Sequence, residues 1–317
     1  MKKFILGLIC GLVMACSTVA FASDSIQAYL FPTSFEINNS NIAIDKDYKV
    51  LNMKGHVYVP IRFVAEHLGA TIEYDAELHK IFVKNSDLDL NDPDYEGISV
   101  GNLILTKAGT ATKVTGQLIM AGVGSTHNMV EARLSFYNDN SKQIGEVILK
   151  GNKFGVFAQN FVGEGVGDFR AYSAVNLQIT KVNNQSIPEA ASILYTNTKH
   201  HFTLALSKTW EGKYEVVEAV NEVSGTERLD FIDIANKEYA GVIFSILIWS
   251  KEDWKMSGPS MIEVGQIYKI GEDGDKVFTL SPPGDVNYNP NDAELTATYS
   301  SMSKKINNIR TTFKLIN

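Results

Sequence analysis

Residues 57–75, which read VYVPIRFVAEHLGATIEYD, constrain the fold more than any other stretch of the chain. The first three residues alternate as a short strand, and Pro60 then fixes φ where a helix can begin without losing a needed N–H. Gly69 stands where a left-handed C-cap is favoured, and Thr71 to Asp75 alternates again. Apolar residues at helical spacing predict a buried stripe of Ile61, Val64, Ala65 and Leu68. The order of strand, helix and strand predicts a small α+β module.

This stretch, with HKIFVK after it, closely resembles the V-P-[LI]-R-F-V-[AS]-E-x-L-G-A-x-[VI]-x-[WY]-D pattern of the copper amine oxidase N-terminal-like domain, or stalk domain. The resemblance implies an α+β module over 23–84 of a kind found in exported bacterial proteins. It does not imply amine oxidation, because in the oxidases this domain is remote from the copper. The residues at the motif positions are expected to be structural, with Tyr74 a core ring: Val59, Pro60, Arg62, Glu66, Gly69, Tyr74 and Asp75.

The residues that amine oxidation requires can be sought directly. The oxidases use a Tyr within Asn-Tyr-(Asp/Glu) and three His ligands, two of them as His-x-His. Here Tyr74 lies in Glu-Tyr-Asp, Tyr288 lies in Asn-Tyr-Asn, and His-x-His does not occur. The sequence therefore argues against an amine oxidase, and it predicts no catalytic residue, no metal ligand and no cofactor.

The first 22 residues have the order of a secretory signal peptide. Two lysines precede an apolar run from Phe4 to about Ala15, and the small-residue site Ala20-Phe21-Ala22 follows. We expect cleavage after Ala22 and an extracellular or cell-surface protein. The alternative is a lipid anchor at Cys16, because Val13-Met14-Ala15-Cys16 resembles a lipobox. Cleavage after Ala22 would also remove both cysteines, so hydrophobic cores and not disulfides would hold the fold.

Charge and hydropathy narrow the partners. The chain has 29 basic and 36 acidic residues, a formal charge of −7, without a dense basic run, so nucleic acid is not an expected partner. After the leader, the longest apolar run is nine residues, GVIFSILIW, the length of a buried strand. We therefore expect no transmembrane helix in the mature chain. The oligomeric state is left open.

Composition divides the rest of the chain into an acidic linker at 85–95, a β-sandwich at 96–185 and an α+β domain at 190–317. The linker carries Pro93 and little core-forming pattern. Within it Asp87, Asp89 and Asn91 match only the first positions of a calcium loop, so we favour a solvated hinge. The complete chain is thus expected to be a multidomain protein of α+β and all-β parts.

Strand-like runs fill the middle segment, separated by Gly, Asn and Ser turns. The run Leu134 to Asn138 weakly resembles the F-x-L-Y-D motif of β-sandwich modules in exported proteins. Gly163, Gly165 and Gly167 lack phosphate-loop spacing and predict a flexible turn. The expected strands are Ile98–Leu105, Thr112–Met120, Met129–Tyr137, Gln143–Leu149, Phe154–Phe161 and Ala171–Val182.

In the last segment, GVIFSILIW predicts a central strand, and Asn291 with Glu294 predicts the cap of a terminal helix. All three tryptophans lie here, and an exposed ring can stack on a sugar or a peptide. Trp249 ends the buried strand and is expected in the core. The candidate ligand surface is Trp210, Tyr214 and Trp254.

Two functions follow as hypotheses. The first is a secreted or surface non-enzymatic protein that binds or organises cell-wall polymer or another exported protein. The alternative is a secreted hydrolase that uses carboxylates as acid and base in the last segment, with Asp230 and Asp233, or Glu252 and Asp253, as the candidate pairs.

Overall fold

A computed structural model describes residues 26–122, 124, 127–220, 226–264 and 267–316. The expected leader at 1–22, with Cys16, lies outside the described residues. The described chain is mostly β, with several sheets and few helices, and forms two compact units that divide between Leu68 and Gly69. Within the part of the chain that the structure describes, no helix is both long and apolar enough to cross a membrane.

The first unit contains a helix, a three-stranded sheet and a hairpin. Asn38 and Asn39 form the hairpin turn with φ of 52° and 58°, the left-handed geometry of a tight two-residue loop. The elements are β1 (Tyr29–Leu30), β2 (Phe35–Ile37), β3 (Ser40–Ile42), β4 (Leu51–Met53), β5 (His56–Tyr58) and α1 (Ile61–His67).

Phe63 sets the buried face of α1. It is 1% exposed, and its ring centroid lies 5.0 Å from that of Phe35 and 5.7 Å from that of Tyr48. Ile61 and Leu68 are 50% and 48% exposed, so the predicted stripe is wrong at both ends. The helix has only seven residues, and the face with aromatic neighbours is the one that it buries.

The second unit begins with a hairpin and continues as two four-stranded antiparallel sheets. The hairpin is β6 (Thr71–Asp75) and β7 (Lys80–Lys84). The first sheet has the order β13-β10-β9-β8, and the second β12-β11-β14-β15. Their strands are β8 (Leu90–Asp92), β9 (Tyr95–Ala108), β10 (Ala111–Met120), β11 (Asn128–Tyr137), β12 (Gln143–Phe154), β13 (Gln159–Val166), β14 (Ala174–Val182) and β15 (Gln185–Ser186).

Both sheets contribute alternate residues to one hydrophobic core. Val114 and Leu118 enter it from the first sheet, and Leu134 and Phe136 from the second, all of them fully buried. The two-sheet arrangement that the turn spacing predicts is therefore present. Five of the six predicted strands overlap an observed strand closely.

The predicted strand Phe154–Phe161 is misplaced, because the glycines that follow it lie in a strand and not in the predicted turn. Gly163 and Gly165 lie in β13, and only Gly167 has a positive φ, of 91°. A Cβ on Gly165 would lie 2.8 Å from Phe169 Cζ, and one on Gly145 would lie 2.2 Å from Phe169 Cδ1. These glycines leave room for the fully buried Phe169 ring.

The segment 85–95 differs in part from the expected solvated linker. Asn102 holds Ser86 through two side-chain hydrogen bonds to its backbone, of 2.8 and 3.1 Å. Leu90–Asp92 pairs with β9, and Asp92 is 7% exposed. Asp92 Oδ2 accepts a 2.7 Å hydrogen bond from the Ile179 backbone in the second sheet. A run of three strand residues is too short for alternation to reveal it in the sequence.

The β6–β7 hairpin packs on the first sheet through polar contacts. Glu73 Oε1 lies 2.7 Å from Lys113 Nζ and 2.9 Å from Thr115 Oγ1, with Glu73 only 7% exposed. Gln117 Nε2 donates to the Gly69 carbonyl at 2.9 Å. A buried carboxylate without such partners would be strongly unfavourable, so these contacts fix the hairpin on the sheet.

The last segment is built on two antiparallel sheets and three helices. The smaller sheet has the order β16-β17-β23 and the larger β18-β19-β20-β22-β21. Strands are β16 (Ser192–Asn197), β17 (Phe202–Ser207), β18 (Tyr214–Val220), β19 (Glu227–Asp233), β20 (Val242–Ser250), β21 (Tyr268–Asp273), β22 (Lys276–Ser281) and β23 (Lys314–Leu315). Helices are α2 (Lys251–Glu263), α3 (Ala293–Ser303) and α4 (Ile306–Arg310), with 3₁₀ turns at Lys208–Trp210 and Ile234–Tyr239.

The predicted central strand and terminal helix of this segment are both present, although the residue that caps the helix differs. The central strand is β20, which pairs with β19 and β22 and buries Trp249 to 8% exposure. The terminal helix is present, but its cap is Asp292 and not Asn291, because Asp292 Oδ1 accepts from the backbone N–H groups of Glu294 and Leu295.

The packing of Phe169 predicts the effect of Gly145→Ala. The added methyl group would meet the near side of a fully buried ring, and overpacking of this kind costs about 1–3 kcal/mol of unfolding free energy. Urea unfolding followed by far-ultraviolet circular dichroism, which reports on the strands of both sheets, measures the change. Gly284→Ala is the matched control, because a Cβ there meets nothing within 4 Å. Equal stabilities of the two variants would contradict this account of Phe169.

Candidate functional site

The three aromatic residues of the predicted ligand surface do not lie together. Trp210 is fully buried, with its ring centroid 6.1 Å from that of Tyr214 and 6.3 Å from that of Phe244. The structure contradicts the prediction at Trp210, because its 3₁₀ turn directs the ring into the core between the sheets. Tyr214 stacks on Phe231, and burial raises the pKa of its phenol. Ligand binding by Tyr214 and Trp254 stays a prediction.

Trp254 has a different environment on helix α2. Its ring is half-buried and meets Trp249 edge to face at a centroid distance of 5.9 Å. A Cβ on Gly258 would lie 2.5 Å from Trp254 Cδ2, so the indole lies directly on the helix backbone. The absence of a side chain at Gly258 therefore determines the position of the indole.

The indole lines a cleft of about 500 Å³ that we call the α2 cleft. Its walls come from the β11–β12 turn of the second sheet, from α2 and β21, and from the end of α4. The polar and aromatic side chains that line the cleft include Asp139, Ser141, Trp254, Tyr268, Lys269 and Arg310. A concave site with aromatic rings and a few charged groups is the usual form of a small-molecule site.

A rigid turn forms one wall. Asn138 Oδ1 accepts from the backbone N–H groups of Asn140 and Lys142, each at 3.0 Å. Ser141 has a φ of 56°, and its hydroxyl lies 2.8 Å from the Ile270 carbonyl and 2.7 Å from that of Arg310. The turn thus joins the second sheet to the last segment and fixes the cleft width at this point.

The two cations of the α2 cleft differ in their partners. Lys269 Nζ lies 3.2 Å from Asp139 Oδ2 and 2.9 Å from Glu272 Oε2. Arg310 instead places its guanidinium carbon 4.1 Å from the centre of the Tyr268 ring, a cation–π contact. Its Nε is buried without a hydrogen-bond acceptor, and burial lowers the pKa of the group. Among the described residues no carboxylate pairs with Arg310.

A second cavity of about 280 Å³ lies at the same junction, but its charged groups bind one another. Lys305 pairs with Asp94 and also contacts the Ser207 hydroxyl. Asp92 accepts backbone hydrogen bonds on both oxygens, and desolvation raises its pKa. These groups hold the chain together and leave the α2 cleft as the better candidate site.

The stalk motif positions have structural roles in the helix and the hairpin. Pro60 directly precedes α1, Arg62 pairs with Glu66 one turn later at 3.6 Å, and Gly69 ends the turn with a φ of 80°. Asp75 Oδ1 accepts from the backbone N–H groups of Glu77 and Leu78 and so closes the β6–β7 turn. Val59, which precedes Pro60, is half-buried.

Tyr74 is not the core ring that was predicted. It is 52% exposed, and its hydroxyl lies 3.3 Å from His79 Nδ1. Strand residues alternate between faces, and Glu73 and Asp75 take the buried face because Lys113 and Arg170 lie opposite them. The motif therefore buries its acids on this strand and exposes its tyrosine.

Comparison with protein families assigns this part of the chain. Residues 16–83 match the copper amine oxidase N-terminal domain. The predicted stalk domain is thereby confirmed. The match covers about a fifth of the chain and only the non-catalytic domain of the oxidases, so amine oxidase activity is not supported. It does not reach Leu134–Asn138, where the F-x-L-Y-D resemblance stays a prediction. Searches of curated proteins and of solved structures found no match.

The carboxylates considered for a hydrolase are engaged elsewhere. Asp230 accepts from Ser245 at 2.6 Å and pairs with Arg228 at 2.8 Å. Asp233 is fully buried and accepts from Asn236 at 2.7 Å, and Asp253 pairs with the cap Ser250 of α2. Their contacts are structural, and Glu252 is exposed at the start of α2. This geometry gives no acid and base facing each other across a cleft.

The metal-binding hypotheses can be checked on the described ranges. There, no group of three or more His, Cys, Asp or Glu is arranged to hold a metal ion. Asn91, at position 5 of the incomplete calcium loop, accepts a hydrogen bond from Ser99 at 2.6 Å. His200 is 3% exposed, and desolvation lowers its pKa although Glu227 lies 3.2 Å away. The buried imidazole packs as part of the fold.

The lysines beside the α2 cleft predict the titration of Glu272. Lys269 and Lys251 hold the pKa of Glu272 at about 2, so the carboxylate stays charged until the pH falls to that range. Any stability from the pair is present above the ordinary glutamate pKa and is lost as the pH falls through the lowered one. In Lys269→Met we expect the Glu272 pKa to rise toward its ordinary value in a carbon-13 NMR titration. Lys150→Met, a surface control paired with Glu131, should leave it unchanged. An unchanged pKa in Lys269→Met would contradict the pairing.

Proposed function

We propose that this chain is an exported, non-enzymatic protein of the bacterial surface that binds or organises cell-wall polymer or another exported protein. The observation that carries the proposal is the match of residues 16–83 to the copper amine oxidase N-terminal domain. This is the non-catalytic domain of the oxidases. The leader-like order of residues 1–22, with a cleavage site after Ala22, supports export.

The proposed layout has three domains. A stalk domain over 23–84 is followed by a segment at 85–95, a β-sandwich at 96–185 and an α+β domain at 190–317. Separate cores support the last two: Phe136 and Leu134 lie in one, and Phe231 and Phe244 in the other. The α2 cleft lies where these two cores meet, and ligand sites commonly occur at such junctions.

Binding and not hydrolysis is proposed because of how the polar groups are used. Of the carboxylates considered for a hydrolase, Asp230 accepts a hydrogen bond from the Ser245 hydroxyl and Asp233 accepts one from the Ala235 backbone. The α2 cleft offers aromatic rings and cations, which bind ligands, and no nucleophile beside a base. No observation favours the hydrolase over a binding protein.

Export predicts a defined processing product. In a bacterial host that secretes the full chain, we expect the protein outside the cytoplasm with Ser23 as its first residue, measured by fractionation and N-terminal sequencing. Cys16→Ala should leave both results unchanged, because the expected cleavage removes Cys16. If wild type stays with membranes and Cys16→Ala is released, the lipid anchor is correct.

Surface binding predicts co-sedimentation. The purified protein over 23–317 should sediment with isolated cell wall at moderate salt, and heat-unfolded protein serves as the control for nonspecific adsorption. A protein that remains in the supernatant here, and free in the medium on fractionation, would contradict wall binding.

A further inference from the structure

The α2 cleft contains a cation whose charge no acid of the described chain neutralises. Of its two cations, Lys269 is paired with Asp139 and Glu272, whereas Arg310 lies against the Tyr268 ring. A guanidinium held by a ring keeps its direction but is stabilised less than one in an ion pair. The Nε of Arg310 is buried, so a ligand in the cleft would meet only its two terminal nitrogens. Such a group is ready to accept an anion.

The charge count of the walls sets the charge of the ligand. Asp139 and Glu272 neutralise Lys269, so the one positive charge of the described walls without an acid partner is that of Arg310. A ligand with one negative charge balances it. Since Arg310 presents a planar fork of donors, a carboxylate fits it with two parallel hydrogen bonds.

The remaining features favour a sugar ring as the body of the ligand. Trp254 is a flat apolar surface, and its position is fixed from behind by the bare backbone of Gly258 and by Trp249. Asp139, 56% exposed, is a strong acceptor at the rim, and hydroxyl groups are the donors that a saccharide brings. The same carboxylate would repel a simple acid without hydroxyls.

We propose that the α2 cleft binds an acidic saccharide, with its carboxylate on Arg310, its ring on the indole of Trp254 and a hydroxyl on Asp139. This inference deepens the proposed function and rests on it, because it specifies the class of polymer that a surface protein of this kind would bind. Uronic acids and other carboxylate-bearing wall sugars belong to that class.

Two sugars that differ only in the charged group test the proposal. Methyl β-D-glucuronide carries a carboxylate where methyl β-D-glucoside carries a hydroxymethyl group. In titrations of the 23–317 protein followed by the NMR signal of the Trp254 indole N–H, we expect the glucuronide to bind on the order of tenfold more tightly, as a charge-assisted pair implies. Equal affinities, or no binding of either sugar at tens of millimolar, would overturn the proposal.

Substitution of Arg310 separates the contribution of its charge to binding from that of the Trp254 ring. Arg310→Gln should abolish the preference for the glucuronide and leave the two sugars equal. Lys304→Gln removes the same charge from a residue that does not line the cleft, and should preserve the preference. Unchanged glucuronide affinity in Arg310→Gln would contradict the assignment.

A second variant tests the role of the indole, and its result remains informative if Arg310→Gln does not fold. In Gly258→Ala the new methyl group displaces the indole, since it would lie 2.5 Å from the ring, while Arg310 is untouched. Affinity for both sugars should fall severalfold in a variant that circular dichroism shows to be folded. Sugar affinities equal to those of wild type would show that the indole does not hold the ring.

Two further probes test the class of ligand. N-acetylglycine, a carboxylate without a sugar ring, and inorganic phosphate should each bind more weakly than the glucuronide. If either binds as tightly, the cleft is a general anion or peptide-carboxylate site and the saccharide proposal is wrong. Because these titrations use purified protein, their failure would leave the export and sedimentation results standing, and failure of those results would leave the titrations interpretable.

Discussion

Phe169 closes the two sheets against each other, and several other features of the second unit depend on it. Its ring lies over Gly145 of β12, an edge strand of the second sheet, and over Gly165 of β13, an edge strand of the first. It also meets Phe136 at a centroid distance of 4.8 Å. A ring can bury itself at this depth only where both strands lack a Cβ, so two glycines and one phenylalanine fix the spacing of the edge strands. That spacing places the β11–β12 turn, whose Ser141 forms one wall of the α2 cleft.

The neighbours of Phe169 extend the same constraint to the β6–β7 hairpin. Arg170 forms ion pairs with Asp168 at 2.7 Å and with Glu77 of the hairpin at 2.9 Å. Arg170 lowers the pKa of Asp168 to about 2, and Lys107 together with Arg170 lowers the pKa of Glu77 below its ordinary value. Both acids are exposed, so solvent screens the attraction. The buried contact of Glu73 with Lys113 and Thr115 is the stronger restraint. Loss of either partner would leave the buried Glu73 carboxylate without a compensating contact.

The sequence predicted those elements whose local signals agree and failed where a distant contact decided the outcome. Pro60 and Gly69 act through their own backbone geometry, and the structure has the helix that they predict. The face of α1, the exposure of Tyr74 and the strand at Gly163 depend on partners remote in sequence: Phe35 and Tyr48, Lys113 and Val147. The prediction that Trp210 forms part of a ligand surface failed for the same reason. A tryptophan beside a Gly turn is typical of an exposed ring, and the strands that cover Trp210 are not evident from the residues around it. The sequence did not reveal Arg310 as a candidate, because only the structure shows that no carboxylate of the described residues pairs with it.

The proposed site in the α2 cleft rests on two groups, Arg310 and Trp254, whose surroundings differ from those of most structural residues. A structural arginine is ordinarily buried with a carboxylate, as Lys305 is with Asp94 at the neighbouring cavity. Arg310 has instead the Tyr268 ring on one face and, among the described residues, no carboxylate partner. The indole of Trp254 is likewise half-buried, although Trp249 beside it is almost fully covered. Two such groups facing one cleft are better explained by a ligand than by packing, because packing alone favours burying the ring and pairing the charge.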